Sequence, residues 1–178
     1  PNQQDLTSAL GIAMSDGQVY SELNAREASL RDAIQRYAPP LKKASENDLG
    51  FDVLPADQVL VNEIDESDLR QRWKINTLHR KLAELKDEYD YILVDSPPNW
   101  RVFSQQALYA ADVVLIPTKH NNLFSLENAV TVIRDFIPEV QILKEDASPI
   151  ALPIFFNGED ITPYQLLEAQ KVLIEMIK

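Results

Sequence analysis

Tyr89-Asp90-Tyr91-Ile92-Leu93-Val94-Asp95-Ser96-Pro97-Pro98 is the stretch on which the reading of this chain turns. Four apolar residues, Tyr91 to Val94, run without a break for the length of a strand, end on an acid, and meet a stiff pair of prolines. A run that is apolar at every position fits a strand buried on both faces. Val113-Val114-Leu115-Ile116 repeats the pattern, and residues 150–156 form a third run that Pro153 shortens. Helical spacing fills residues 104–111 and 125–136 between them. Buried strands that alternate with helices predict an α/β fold, a parallel sheet with helices on both faces.

Outward from that region the first half reads as mostly helical. Residues 5–14 have helical spacing closed by Gly17, and a second helix from Ser21 carries Leu23, Leu30, Ile34 and Tyr37 until Pro39-Pro40 stops it. Gly50-Phe51-Asp52-Val53-Leu54-Pro55 reads as a short strand running into a turn. Residues 56–86 then show a helical pattern long enough for two helices, with an acidic run at 62–66, and a last helix is expected over 164–177.

Composition bounds the possibilities. With 178 residues, 45% hydrophobic and 25% charged, the expectation is one globular domain over 1–178. Absence of cysteine excludes a disulfide framework and thiolate metal ligands. No run approaches the roughly 18 apolar residues of a membrane span, and Pro1-Asn2-Gln3-Gln4 has no signal-peptide character. A net charge of −11 repels phosphate backbones, so a nucleic-acid contact would need a local basic patch. The densest basic groups, Lys42-Lys43, Arg70 with Arg72 and Lys74, and Arg80-Lys81, read as solvated helix faces.

Strands of a parallel sheet end at one edge, and ligands of open α/β folds sit outside it. Asp95-Ser96-Pro97-Pro98-Asn99, Pro117-Thr118-Lys119-His120 and Asn157-Gly158 follow the three apolar runs and so are placed at that edge. An acid that ends a buried strand suits a magnesium ion held through its water shell, the ion neutralising phosphate oxygens. A cap on the following turn is the structural alternative for Asp95. His79 and His120 have no second histidine or cysteine nearby in sequence and read as surface residues.

Taken with Ala107-Leu108-Tyr109-Ala110-Ala111-Asp112-Val113-Val114-Leu115-Ile116-Pro117, the opening stretch resembles the ParA/MinD family of phosphate-binding-loop ATPases. That family shows YD, an apolar run, D-x-PP, a helix with A-L-x-A-A-D, and V-L-I-P. Phe51-Asp52-Val53-Leu54-Pro55-Ala56 and Ser125-Leu126-Glu127-Asn128 resemble flanking parts of the same pattern, so the likeness spans nearly the whole chain. Pro1-Asn2-Gln3-Gln4-Asp5-Leu6-Thr7 is similar to the family's turn after its second strand, without the aspartates.

The family's Gly-rich phosphate loop has no counterpart, because Gly11, Gly17, Gly50 and Gly158 are too far apart to build one. The expectation is therefore a fold incomplete at its N-terminus and, lacking the family's last strand, at its C-terminus. As given, the chain is expected neither to hydrolyse ATP nor to bind it tightly.

The resemblance implies ATP and Mg2+ as cofactors, with Asp95 ordering the metal's water. Residues 96–100 correspond to the switch after it, and Trp100, Val102 and Phe103 read as packing or partner surface. Lys119 departs from the family's usual uncharged residue. It is either a relocated signature lysine that reaches nucleotide phosphates, as in some carboxysome-positioning McdA-like members, or a solvated lysine. Asn157 is either an adenine contact or a turn former. The family's behaviour implies a homodimer joined by ATP, nonspecific binding to nucleoid DNA, a ParB-like or cargo-adaptor partner, and a cytoplasmic, nucleoid-associated location. Plasmid, chromosome and carboxysome are all cargoes of relatives, and Lys171 and Lys178 are weak candidates for the DNA patch. A catalytically inactive interaction module and a metabolic synthetase of the related branch are the alternatives.

Overall fold

A computed structural model describes residues 5–39, 50–60, 66–97, 99–157 and 160–177. The opening Pro1-Asn2-Gln3-Gln4 turn, Pro40, Lys42-Lys43, the acidic residues 62–65, Pro98, Gly158 and Lys178 lie outside them. The chain divides into two compact units, Pro1–Ala110 and Ala111–Lys178.

The first unit opens with α1 (Asp5–Ala9), shorter than its spacing predicts. Gly11 turns into the left-handed region at φ +67°, and the Ile12 N–H closes back on the Thr7 carbonyl at 3.0 Å, which ends the helix early. The next predicted helix is also cut. α2 (Gln18–Asn24) is followed by a tight turn at Leu30–Ala33 and by β1 (Gln35–Tyr37), which pairs antiparallel with β2 (Phe51–Val53). Tertiary contacts override the helical spacing here. Lys81 is buried and its ammonium donates to the Ala25 carbonyl at 2.8 Å and to that of Ala28, holding the chain open after α2. Its reading as a solvated residue is thereby corrected. Gly50 lets the hairpin close, since a Cβ there would lie 2.7 Å from the Tyr37 carbonyl oxygen.

Residues 66–83 form two helices, α3 (Glu66–Arg72) and α4 (Thr77–Ala83), and α5 (Val102–Ala110) follows. The buried Gln106 of α5 clamps the break between α3 and α4, accepting the Leu78 N–H at 2.9 Å and donating to the Lys74 carbonyl at 2.6 Å. Leu23, Leu30, Leu69, Trp73, Leu85 and Val102 make the core. A second tie is polar. Asp57, 2% exposed, accepts the Ser15 hydroxyl at 2.5 Å and the N–H groups of Tyr20, Val59 and Leu60. Glu22 is also buried, and burial pushes its carboxyl above the usual range.

One expectation is not met. Tyr91 to Val94 form no strand, no described strand pairs with them, and Tyr91 and Leu93 are 87% and 83% exposed. Without neighbours, a strand's backbone groups have no ladder to join, so apolar composition alone cannot make one. Tyr89 anchors the entry to this segment, its hydroxyl donating to Asp52 at 2.8 Å while Arg36 donates to the same carboxylate at 3.0 Å. The Tyr89 hydroxyl, and after it Arg36, hold the Asp52 carboxyl below its ordinary range, and the same bond with burial raises Tyr89. A depressed carboxyl contributes stability that is present above its unfolded value and lost as pH falls through the folded one. Chemical unfolding across the acid range should therefore show a shallower loss of stability in Tyr89→Phe than in the native chain; identical slopes would remove this bond from the ledger.

The second unit carries the parallel pairing. β3 (Val113–Val114) pairs with β5 (Ile150–Ala151), and β4 (Pro117–Thr118) with β6 (Phe155–Phe156), both parallel. Between the ladders Leu115 and Ile116 face Leu152, Pro153 and Ile154, so the second strand holds one extra residue. Pro153, which has no N–H to give, sits in that bulge. The bulge keeps Ala151, Ile154 and Phe156 inward while Ile150, Leu152 and Phe155 stay exposed.

α6 (Leu123–Thr131) continues through a widened turn at Val132–Phe136 into α7 (Ile137–Lys144), and α8 (Pro163–Ile177) closes the chain. Leu126 and Val130 of α6 and Leu173 of α8 pack with Ile154 and Phe156 on the inner face of the strands. Val113, Leu115, Ile150 and Phe155 remain exposed on the other side. Among the described residues no helix is long and apolar enough to cross a membrane.

Candidate functional site

The strands β4 and β6 bring two predicted residues to one place. The Asn157 N–H donates to the Thr118 carbonyl at 2.8 Å, which sets Asn157 beside the Thr118-Lys119 step at the carboxyl edge of the parallel pair. Burial alternates along β3 and β4, with Ile116 and Thr118 inward and Leu115, Pro117 and Lys119 outward. Phe156 is inward and Asn157 exposed on the neighbouring strand. Alternation across a pleated strand thus assigns Lys119 and Asn157 to the same outer side.

The turn after Lys119 is fixed locally. The Asn122 N–H reaches back to the Lys119 carbonyl at 3.3 Å, and the Asn122 side chain caps α6 by accepting the Ser125 N–H at 3.1 Å. His120, read from the sequence as a surface residue, is half-buried and lies edge-on to Phe156, ring centroids 6.4 Å apart and planes 89° apart. Neither the Lys119 ammonium nor the Asn157 amide is hydrogen-bonded or ion-paired within the described residues, and both are exposed. Thr118 is buried and its hydroxyl has no partner.

Charge sets this edge apart. In a chain with 28 acidic residues among 178, none occurs from Val113 to Leu126 or from Ala147 to Asn157. Both strands and the turn from Lys119 to Asn122 are therefore free of carboxylates and carry Lys119 as their one fixed charge, although Glu159 and Asp160 follow Asn157-Gly158 in the sequence. A lysine with no ion pair among the described residues, at the end of two acid-free strands, is an electrostatic setting for an anion. The deficit was countable in the sequence and does not depend on any motif.

Asp95 lies in the first unit, at the end of the exposed apolar segment. Its carboxylate is exposed and has no hydrogen bond or ion pair among the described residues. The turn beyond it is held by Ser104, whose hydroxyl accepts the Arg101 N–H at 3.0 Å and donates to the carbonyls of Arg101 and Asn99. Among the described residues Asp95 makes no capping bond to this turn. No three His, Cys, Asp or Glu side chains among the described residues form a metal cage. One free carboxylate suits a hydrated magnesium whose other partners come from a ligand, and not a cation held by protein alone.

Other basic residues have ordinary partners. Arg72 donates to the Tyr20 hydroxyl at 3.2 Å, and Lys171 pairs with Glu168 at 2.8 Å on α8. His79 stacks edge-on with Tyr109.

Open parallel α/β sheets bind their ligands outside the carboxyl ends of the strands, the edge at which Lys119 and Asn157 stand. The AAA-domain family matches residues 1–148, and the chain belongs to it. Its relatives within that family are of the ParA kind. The chromosome-partitioning ATPase Soj of Treponema pallidum (strain Nichols) is 30% identical over 89% of this chain and 56% of its own length. The virulence plasmid ParA family protein pGP5-D of Chlamydia psittaci is 30% identical over 64% of this chain and 40% of its own. The chromosome partitioning protein ParA of Caulobacter vibrioides is 32% identical over 61% and 41%.

Among solved structures, the ATP complex of a McdA variant from Cyanothece aligns at a TM-score of 0.71 and 21% identity, over 98% of this chain and 64% of that one. Cobyrinic acid a,c-diamide synthase from Mycobacterium smegmatis, with bound ADP and magnesium, aligns at 0.68 and 22%, over 98% and 64%. These two establish the P-loop NTPase-like α/β fold. The chain spans about half the length of the sequence relatives it matches, between 40% and 56% for those named.

Proposed function

We propose that this chain forms part of a ParA-type ATPase that partitions or positions a cargo, and that its two units belong to one nucleotide-binding domain over 1–178. The observation that carries the reading is the strand edge where Lys119 and Asn157 stand side by side with their polar groups uncommitted among the described residues. In this reading Lys119 meets the phosphates of ATP, Asn157 the adenine, and Asp95 the water shell of Mg2+. The metal supplies charge neutralisation at the phosphate oxygens. ATP joins two copies, the dimer binds nucleoid DNA in the cytoplasm, and a ParB-like or cargo-adaptor partner triggers the hydrolysis that releases it. Plasmids, chromosomes and carboxysomes are the cargoes to test.

Lys119→Ala in the intact protein is the direct test. A charge-assisted contact is worth about 1.5–3 kcal/mol, so ATP-dependent dimer affinity should fall about tenfold to a hundredfold. Thermal stability should change by less than about 0.5 kcal/mol, as for any exposed side chain. Lys171→Ala is the control, because Lys171 is exposed and only pairs locally with Glu168, whereas the Lys144 ammonium reaches the Ala111 carbonyl at 3.3 Å and is half-buried. Equal dimer dissociation constants for the two variants by sedimentation would return Lys119 to the solvated surface. Equal mass of the native protein in ATP and ADP would instead favour an interaction module.

A further inference from the structure

Helix α5 is fastened along its length within the first unit. Val102 is buried in the core, Phe103 lies edge-on to Trp73 with ring centroids 6.2 Å apart, and the Gln106 side chain clamps the Lys74 carbonyl and the Leu78 N–H. Ser104, 9% exposed on the same helix, turns its hydroxyl to the chain ahead of it. That hydroxyl accepts the Arg101 N–H at 3.0 Å and offers its proton to the carbonyls of Arg101, at 3.1 Å, and of Asn99. A bond from the third helical residue back to the N–H just before the helix is half of a capping box. The bond to Asn99 is not part of any cap. It reaches beyond the helix and fastens the loop that leads into it.

Asn99 stands four residues after Asp95, a span of at most about 14 Å in which the ring of Pro97 also fixes φ. On the other side the nearest side-chain anchor is the Tyr89 hydroxyl on Asp52, six residues before Asp95, and Tyr91 to Val94 between them join no strand. We propose that Ser104 is a positioning residue for Asp95: by holding Asn99 to the fastened helix, it sets where the carboxylate stands. The inference rests on the reading of Asp95 as the group that orders the water shell of Mg2+, and it adds the residue on which that placement depends. A carboxylate that acts through water has no direct metal bond to correct its aim, so its position has to come from the chain. Displacing a group at a reacting centre by about 1 Å costs on the order of a hundredfold in rate. Ser104 itself meets no ligand in this arrangement, because its residue is buried and its hydroxyl is bonded both as donor and as acceptor.

Ser104→Ala, Asp95→Ala and the double variant of the intact protein test this, with turnover measured against ATP and against magnesium below the thermal midpoint of each. Ser104→Ala should lower kcat about tenfold, keep the KM for ATP within about twofold, and raise the magnesium concentration for half-maximal rate. The double variant should turn over within about twofold of Asp95→Ala, since a residue that works through the carboxylate then has nothing left to place. Ser104→Thr keeps the hydroxyl and should recover most of the native rate. Trp100, half-buried between Asn99 and Arg101, should open to acrylamide quenching in Ser104→Ala and not in Ser104→Thr, while the buried Trp73 stays shielded in both. Native kcat or unchanged quenching in Ser104→Ala, a loss that multiplies with that of Asp95→Ala, or Ser104→Thr as slow as Ser104→Ala would each overturn the proposal and leave Ser104 a helix cap. Native turnover in Asp95→Ala would instead overturn the reading of Asp95, and the proposal with it.

Discussion

Asp95→Ala in the intact protein is expected to lower magnesium-dependent ATP hydrolysis by about 10–100-fold while leaving the fold unchanged. The size follows from how the group acts. A carboxylate that holds a metal through water orients the ion without displacing its ligands, and removing such an outer partner costs about that factor. The fold is spared because Asp95 is exposed and takes no hydrogen bond from the described residues. Asp95→Asn separates charge from shape. If ordering of the hydrated cation requires the negative charge, the amide should behave like alanine in turnover and in the magnesium concentration for half-maximal rate. Native turnover in Asp95→Ala would remove Asp95 from the reaction, and a large drop in thermal midpoint would show that it holds structure instead.

Much of this architecture was legible in the sequence, for identifiable reasons. The apolar runs at Val113–Val114 and Ile150–Ala151 became paired strands because each had the other as a neighbour in the same unit. Pro153 announced the break between the two ladders, since a residue without an N–H cannot continue one. α8 (Pro163–Ile177) matches its helical spacing almost residue for residue, because that helix needs only one buried face, built on Ala169 and Leu173. The edge that unites Lys119 with Asn157 followed from strand direction alone.

What could not be read depends on partners distant in sequence. Tyr91 to Val94 have the same apolar pattern as Val113 to Ile116, yet only Val113 and Val114 pair, because a strand is a property of two segments and its composition describes one. The helix expected from Ser21 failed where Lys81, far along the chain, occupies the Ala25 and Ala28 carbonyls. Gln106 likewise looks like an ordinary polar residue of α5 until Lys74 and Leu78 are seen on either side of it. Buried polar ties carry no periodic signal, so spacing arguments pass over them. The absence of acids from residues 113–126 and 147–157 is different. It lies in plain view in the sequence, but its meaning required knowing that two separated stretches end side by side.

Asp57→Ala should be the most destabilising single change in the first unit, by about 3–5 kcal/mol. The carboxylate is 2% exposed and accepts four bonds, from the Ser15 hydroxyl and from the N–H groups of Tyr20, Val59 and Leu60. Alanine leaves all four donors, one on a buried and three on part-buried residues, without their acceptor. Each orphaned buried group costs about 1–3 kcal/mol, and breaking a buried charged network about 3–5 kcal/mol, which sets the figure below the simple sum because the chain relaxes. The tie also fixes topology, since Ser15 joins a parallel bridge to Asp57 and its carbonyl takes the Gln58 N–H at 2.9 Å. For a chain of this length the expected fall in thermal midpoint is on the order of 10 °C. Ser15→Ala removes one of the four donors and also the acceptor of the Val19 N–H at 3.2 Å, and should cost about 1–3 kcal/mol, because three donors still satisfy the carboxylate. Denaturant unfolding of both variants measures the ratio directly. If Asp57→Ala loses no more than Ser15→Ala, the backbone donors around Asp57 are reached by water, and its role as the buckle between residues 15–20 and 57–60 is wrong.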